Sequence, residues 1–196
     1  MDPENDAKAR RVVERCPGVH YLLDEAVEIE GCKIYGSPWQ PEFFDWAFNL
    51  PRGEACAEVW RKIPSDTDVL ITHGPPLGMG DECKGGFRAG CVDLLREVLG
   101  RVKPAAHVFG HIHEDAGAWT CGSGATRFLN ASTCTLRYRP ANPPIVFDLP
   151  RRGERSAPAP EGPPGEQAWA AAAEAPLPHH GPNSDPNPSP NPNPNP

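Results

Sequence analysis

The sequence predicts an α/β fold built on a partly parallel sheet, and three observations predict it. DVLIT at 68–72 and AHVF at 106–109 are short runs of branched and apolar residues with the length of buried strands. Between them, Val92, Leu95, Leu99 and Val102 fall at i, i+3, i+7 and i+10, an amphipathic helix closed before Pro104. Strand, helix, strand is the order of a parallel crossover.

The remaining elements follow in chain order. Residues 1–18 read as a short polar helix whose Ala7, Val12 and Val13 offer little to bury. VHYLLD and AVEIEGCKIYGS alternate well enough for two or three short strands, with a turn at Gly31. The aromatic stretch SPWQPEFFDWAFNLPRG is broken by Pro38, Pro41 and Pro51 and reads as a packed loop. Ala55, Val59, Trp60 and Ile63 have helical spacing, ended by Pro64. GAWTCGSGATRFLNAST predicts a hairpin turning at GSG, and PPIVFDLP a last strand.

The foldable part ends near residue 150. From Arg151 onward the chain holds 13 of its 26 prolines, and only Trp169 and Leu177 offer sizeable side chains to bury. Such a segment cannot recover its ordering entropy by burial, so 151–196 is expected to be a disordered Pro/Asn-rich tail. His179 and His180 there read as a chance pair.

Net charge is −7 and pI near 5.5, which argues against nucleic acid or an anionic membrane as partner. No run of about 18 apolar residues predicts a membrane span. Seven cysteines without CxxC spacing, and no apolar signal segment after Met1, predict reduced thiols and a cytoplasmic protein.

Two strands are predicted to end in histidines: DVLIT runs into His73-Gly74, and AHVF into Gly110-His111-Ile112-His113. Functional groups gather at the carboxyl edge of open α/β sheets. In extended backbone His111 and His113 would point the same way, suiting a divalent cation that needs imidazoles aimed inward from a rigid frame. Gly110 is expected to let the backbone turn closely around a ligand. A lone histidine is more often structural, and His20 and His107 are given that reading. Arg88 near the HGPP loop is a candidate phosphate contact, although a solvated arginine is the plainer reading. Trp39 is expected to pack against the core rather than stack on a base.

The stretches IYGSPWQPEFFDWAFNLPRG, DVLITHGPPLG, GCVDLLREV, HVFGHIHE and NASTCTLRYRPANPPIVFDLP together resemble the calcineurin-like metallophosphoesterase family, in its metallophosphoesterase-domain-containing branch. The likeness spans about residues 20–150 and matches the carboxyl-terminal part of that domain. It implies a partial four-layer α/β/β/α sandwich over residues 1–150, lacking its first strands. It also implies two divalent metal ions (manganese, iron, zinc or nickel) and a small-molecule phosphoester or nucleotide substrate. Hydrolysis of phosphodiesters, cyclic nucleotides included, is the implied reaction. His73 and His111 would ligate one metal and His113 the other.

Three of the family's motifs are absent. The chain has no DxH and no GNH, and Gly80-Asp81 follows the HGPP loop instead of preceding it. The expectation is a chain that begins partway through the domain. Two dications facing each other across three neutral imidazoles, without a bridging carboxylate, would repel strongly. The two-metal centre is therefore expected not to assemble, and an apolar sheet edge to lie exposed. Asp81, Glu82, Glu114 and Asp115 are read as solvated loop charges. The alternative to an enzyme is a catalytically dead remnant that keeps a nucleotide- or metal-binding surface.

Overall fold

The computed structural model describes residues 3–121 and 126–149; the predicted tail and the GSG turn lie outside them. Helix α1 (Pro3–Val13) is followed by β1 (Glu25–Ile29), β2 (Cys32–Ser37), β3 (Gln40–Pro41), β4 (Asn49–Leu50) and α2 (Glu54–Trp60). After these come β5 (Val69–Thr72), α3 (Val92–Glu97), β6 (Ala106–Phe109), β7 (Gly117–Thr120) and β8 (Arg127–Asn130). A six-stranded sheet runs β1-β2-β5-β6-β8-β7. Its four central strands are parallel, and β1 and β7 add antiparallel edges.

Period-2 alternation divides the central strands between two faces. Leu70, His107 and Phe128 share one register row and are each 0% exposed. With Tyr35 and Phe109 they meet Val59, Trp60, Ile63, Leu94, Leu95 and Val98 from α2 and the α3 segment. Each large apolar side chain fully buried there contributes about 1.5–3 kcal/mol, so this face holds most of the stability. Helix α1 buries little and is tied on by Arg10, which pairs with Asp6 and Glu25.

Val69, Ala106 and Leu129 on the opposite face are covered in part by Ile145, Phe147 and Leu149. Those three belong to the predicted last strand, yet they form none. Pro143 and Pro144 withhold two ladder N–H groups just before them, and the segment serves as an apolar strap. Ile71, on a central strand, remains 41% exposed.

Other expectations are adjusted as well. Residues 19–24 are not a strand. The aromatic loop carries a minimal parallel pair, β3 with β4. The predicted helix after Cys91 stays helical, but Val98–Val102 widen into a π-turn. That shift keeps Val98 and Val102 buried and leaves Leu99 only partly so. Edge strand β1, EAVEI, is mostly exposed and carries Glu25 and Glu28 alongside Ile29, itself 43% exposed. No described helix is long and apolar enough to cross a membrane. None of the seven cysteines forms a disulfide among the described residues.

Candidate metal centre

Two neighbouring parallel strands deliver the first two histidines. β5 ends at Thr72, so His73 stands at its carboxyl tip, and β6 ends at Phe109, two residues before His111. The Gly110 N–H donates to His73 O at 3.0 Å, joining the tips. His73 Nε2 and His111 Nδ1 then lie 3.1 Å apart. The sequence reading thus places this pair correctly at the sheet's carboxyl edge.

The tip of β5 is held from inside. His107 is fully buried, with Nε2 2.9 Å from Thr72 Oγ1, and that hydroxyl donates to Gly74 O at 2.7 Å. A hydroxyl has one proton to give, so Thr72 accepts from His107 Nε2–H. The tautomer is thereby set, and Nδ1 is left buried without a partner among the described residues. Burial pushes the His107 pKa down to about 3, so the ring is neutral. Its structural assignment holds, and its contact is with the residue next to His73.

The HGPP loop is pinned further on: Leu77 N–H donates to Cys91 O at 3.1 Å and Cys91 N–H to Pro75 O at 3.0 Å. The left-handed backbone position in this loop falls on His111, with φ of 71°, and not on Gly110. A non-glycine residue there is strained, and such strain is retained where surrounding contacts impose it. Phe43 supplies one, packing edge-on against His111 with ring centroids 4.8 Å apart. Because His111 is not extended, the simple rule that residues two apart point the same way does not apply to His113.

His113 opens a short 3-10 turn, His113–Asp115. Its Nδ1 lies 3.2 Å from Thr135 O, and a carbonyl can only accept, so Nδ1 carries a proton and Nε2 is the nitrogen that a neutral ring would offer to a cation. Burial lowers the pKa of His73. Burial first, then repulsion from His73 and His113, lowers that of His111 to about 4. Neutral imidazoles are the form that binds metal.

Imidazole nitrogens on one tetrahedral cation, with bonds of about 2.0–2.1 Å, stand roughly 3.4 Å apart. The 3.1 Å His73–His111 contact, a hydrogen bond between the rings, is close to that spacing, and a shift of the bridging proton to the far ring nitrogen would leave both facing nitrogens to one cation. Among the described residues no group of three or more His, Cys, Asp or Glu is placed to hold a metal.

Of the carboxylates read as solvated loop charges, Glu82 and Glu114 are exposed as expected, whereas Asp81 is buried. Asp81 is 0% exposed; it pairs with Arg88 Nη1 at 2.6 Å and accepts from Gly90 N–H at 3.1 Å. Arg88 Nη2 reaches Glu82 at 3.2 Å, so this candidate phosphate contact is held by two acids. Asp115 accepts from Glu82 N–H and Glu114 from Lys84 N–H, stitching the two histidine loops together. Trp39 packs against the core and donates to Asp24 at 2.8 Å. His20 is exposed.

Asn130, 0% exposed, escaped the sequence reading. Its Nδ2 donates to Gly80 O and Ile112 O, and its Oδ1 accepts from Ser132 N–H, fastening three loops at the site. An asparagine closing an apolar strand, in RFLNAST, was the available signal.

Metallophosphoesterase domain-containing protein 1 of Homo sapiens is 52% identical over 151 residues, 76% of this chain and 45% of that protein. Its Mus musculus counterpart gives the same figures. A UPF0046 protein of Caenorhabditis elegans is 48% identical over 130 residues, 66% of this chain and 32% of its own length. The chain belongs to the metallophosphoesterase-domain-containing family. It spans less than half the length of these curated relatives. No protein-family model matches it. The name of these relatives implies the use of divalent metal by those proteins.

Proposed function

We propose that this protein is a metal-dependent phosphoesterase-family hydrolase acting on a small-molecule phosphodiester or nucleotide, cyclic nucleotides included. His73 and His111 would share one divalent cation, and His113, through Nε2, would serve a second. The observation that carries the reading is the 3.1 Å contact between two neutral imidazoles delivered by adjacent parallel strands. A divalent cation there supplies charge neutralisation and polarisation of a phosphoryl oxygen. The chain's own residues fix the ligands: His107 through Thr72 holds the β5 tip, and Phe43 backs His111. A phosphate reaching Arg88 would have to displace Glu82.

The partial four-layer sandwich over residues 1–150, with a separate tail at 151–196, is part of this proposal. Exposed Ile71 on a central strand supports a further layer on that face. Seven cysteines without a disulfide among the described residues support a cytoplasmic setting.

The second reading is a remnant that binds a cation or nucleotide without turnover. Hydrolysis of bis-p-nitrophenyl phosphate with Mn2+ separates the two. The enzyme reading expects turnover that His111→Ala abolishes. Absence of turnover with cation binding intact supports the remnant, and turnover indifferent to His111→Ala contradicts the site.

A further inference from the structure

The loop between β3 and β4, expected to be packed, leaves much of its aromatic surface in water. Phe44 is 60% exposed and Trp46 55%. Each stands edge-on to Phe43, with ring centroids 4.6 Å and 5.2 Å apart, and Phe43 is the only ring that either touches among the described residues. Phe43 in turn stands edge-on to His111 at 4.8 Å. The exposed rings therefore connect to a histidine of the candidate metal centre through one shared neighbour. Asn49 fixes the base of this patch: its Nδ2 donates to Phe43 O at 3.2 Å and Phe44 O at 2.9 Å, and its Oδ1 accepts from Phe43 N–H at 3.2 Å.

These rings are held out at a backbone cost. Phe44 has φ of 48°, a left-handed position that a bulky side chain keeps only where its surroundings impose it. The pattern recurs at His113, where Tyr138, exposed and at φ of 55°, stands edge-on with centroids 5.5 Å apart. Exposed apolar patches mark binding surfaces. The cavity beside His111, which Phe43 also lines, holds about 50 Å³. Enclosing an aromatic ring takes about 150 Å³, so a ring joined to a group at the histidines would lie on the exposed aromatics.

We infer that Phe43, Phe44 and Trp46 form a stacking platform for a planar aromatic group, a nucleobase or an aryl ring, on the alcohol part of the phosphoester. This rests on the phosphoesterase reading above. Aromatic pairs gain energy beyond the area they bury, because the negative face of one ring meets the positive edge of another. Stacking accepts any planar π system, so the platform selects flatness and not a particular hydrogen-bonding pattern. The charged neighbours in the loop, Glu42 and Asp45, are acidic and exposed, which favours a neutral ring over an anionic one.

Calorimetric titration of the 196-residue chain with Mn2+ present tests this, using inorganic phosphate, phenylphosphonate and cyclohexylphosphonate. The two phosphonates carry rings of the same size, only one of them flat and aromatic, and neither is cleaved by hydrolysis of an ester. Phenylphosphonate is expected to bind about 2–10-fold more tightly than the cyclohexyl compound. Trp46→Ala should weaken phenylphosphonate by about 5-fold or more and bring that ratio to about one, while inorganic phosphate, which carries no ring, still binds. If Trp46→Ala does not fold, Phe44→Gly, which suits the positive φ, must lose the preference too. Adenosine 5′-monophosphate against ribose 5-phosphate separates the sources: a preference there assigns the platform to nucleobases, and one confined to phenylphosphonate assigns it to aryl esters. Equal affinities within both pairs overturn the platform and leave the phosphoesterase reading standing, as does a preference that survives in a folded variant. Failure of inorganic phosphate and every ring compound to bind overturns both.

Discussion

At the scale of residues, two histidines carry opposite burdens. His111 sits at φ of 71°, where a Cβ is strained and glycine is not. His111→Gly is therefore expected to be about 1 kcal/mol more stable than His111→Ala in urea denaturation, although both remove the imidazole. Equal stabilities would mean that the backbone relaxes once the side chain is gone. His107 is buried neutral, with a pKa of about 3 against an ordinary value of 6.5. As pH falls the unfolded chain takes up this proton first. The stability His107 contributes is thus complete above about 6.5 and is lost as pH falls toward about 3. His107→Gln, which can still donate to Thr72, should flatten the fall in stability across that window; a parallel fall in both proteins would contradict it. Both histidine loops were legible in the sequence as polar groups ending apolar strands. The left-handed turn at His111 was not, because nothing in the sequence marks a histidine for a positive φ.

At the scale of elements, periodicity located the core and missed the loop chemistry. β5, β6 and the helix between them announced themselves because burial on a layered fold demands apolar repeats at 2 and 3.6 residues. Asp81 announced nothing: a carboxylate in a glycine-rich loop looks solvated, and only the third dimension brings Arg88 and the Gly90 N–H onto it. Two substitutions test how firmly this loop is set. Asp81→Ala leaves Arg88, 33% exposed, without its buried partner and should cost about 2–3 kcal/mol, below the range for fully buried pairs. Gly90→Ala would place a Cβ 2.5 Å from Pro76 O and 2.7 Å from Asp81 Oδ2. Backbone cannot yield there cheaply, and a loss of about 1–3 kcal/mol is expected in thermal or chemical melts. A neutral Gly90→Ala would show the HGPP loop to be soft.

At the scale of the whole molecule, the two sheet faces are unequal. One is sealed by α2 and the α3 segment, while the other is half covered by Ile145, Phe147 and Leu149 and leaves Ile71 41% exposed. The sequence suggested a strand at 143–149 because IVF has strand composition; the preceding prolines deny it the ladder, leaving only the apolar contact. Phe147→Ala should accordingly lower stability by about 1–2 kcal/mol through lost burial alone, with no change in the sheet signal of far-ultraviolet circular dichroism. Loss of that signal would mean that the strap organises the sheet.

The account's central claim is that His73 and His111 act as one cation-binding unit. Zn2+ affinity measured in the unaltered chain, His73→Ala, His111→Ala and the double variant tests it most directly. Each single change is predicted to weaken binding by at least tenfold, with the double variant little worse than either. Unchanged affinity in either single variant, or losses that simply add, would contradict a shared site.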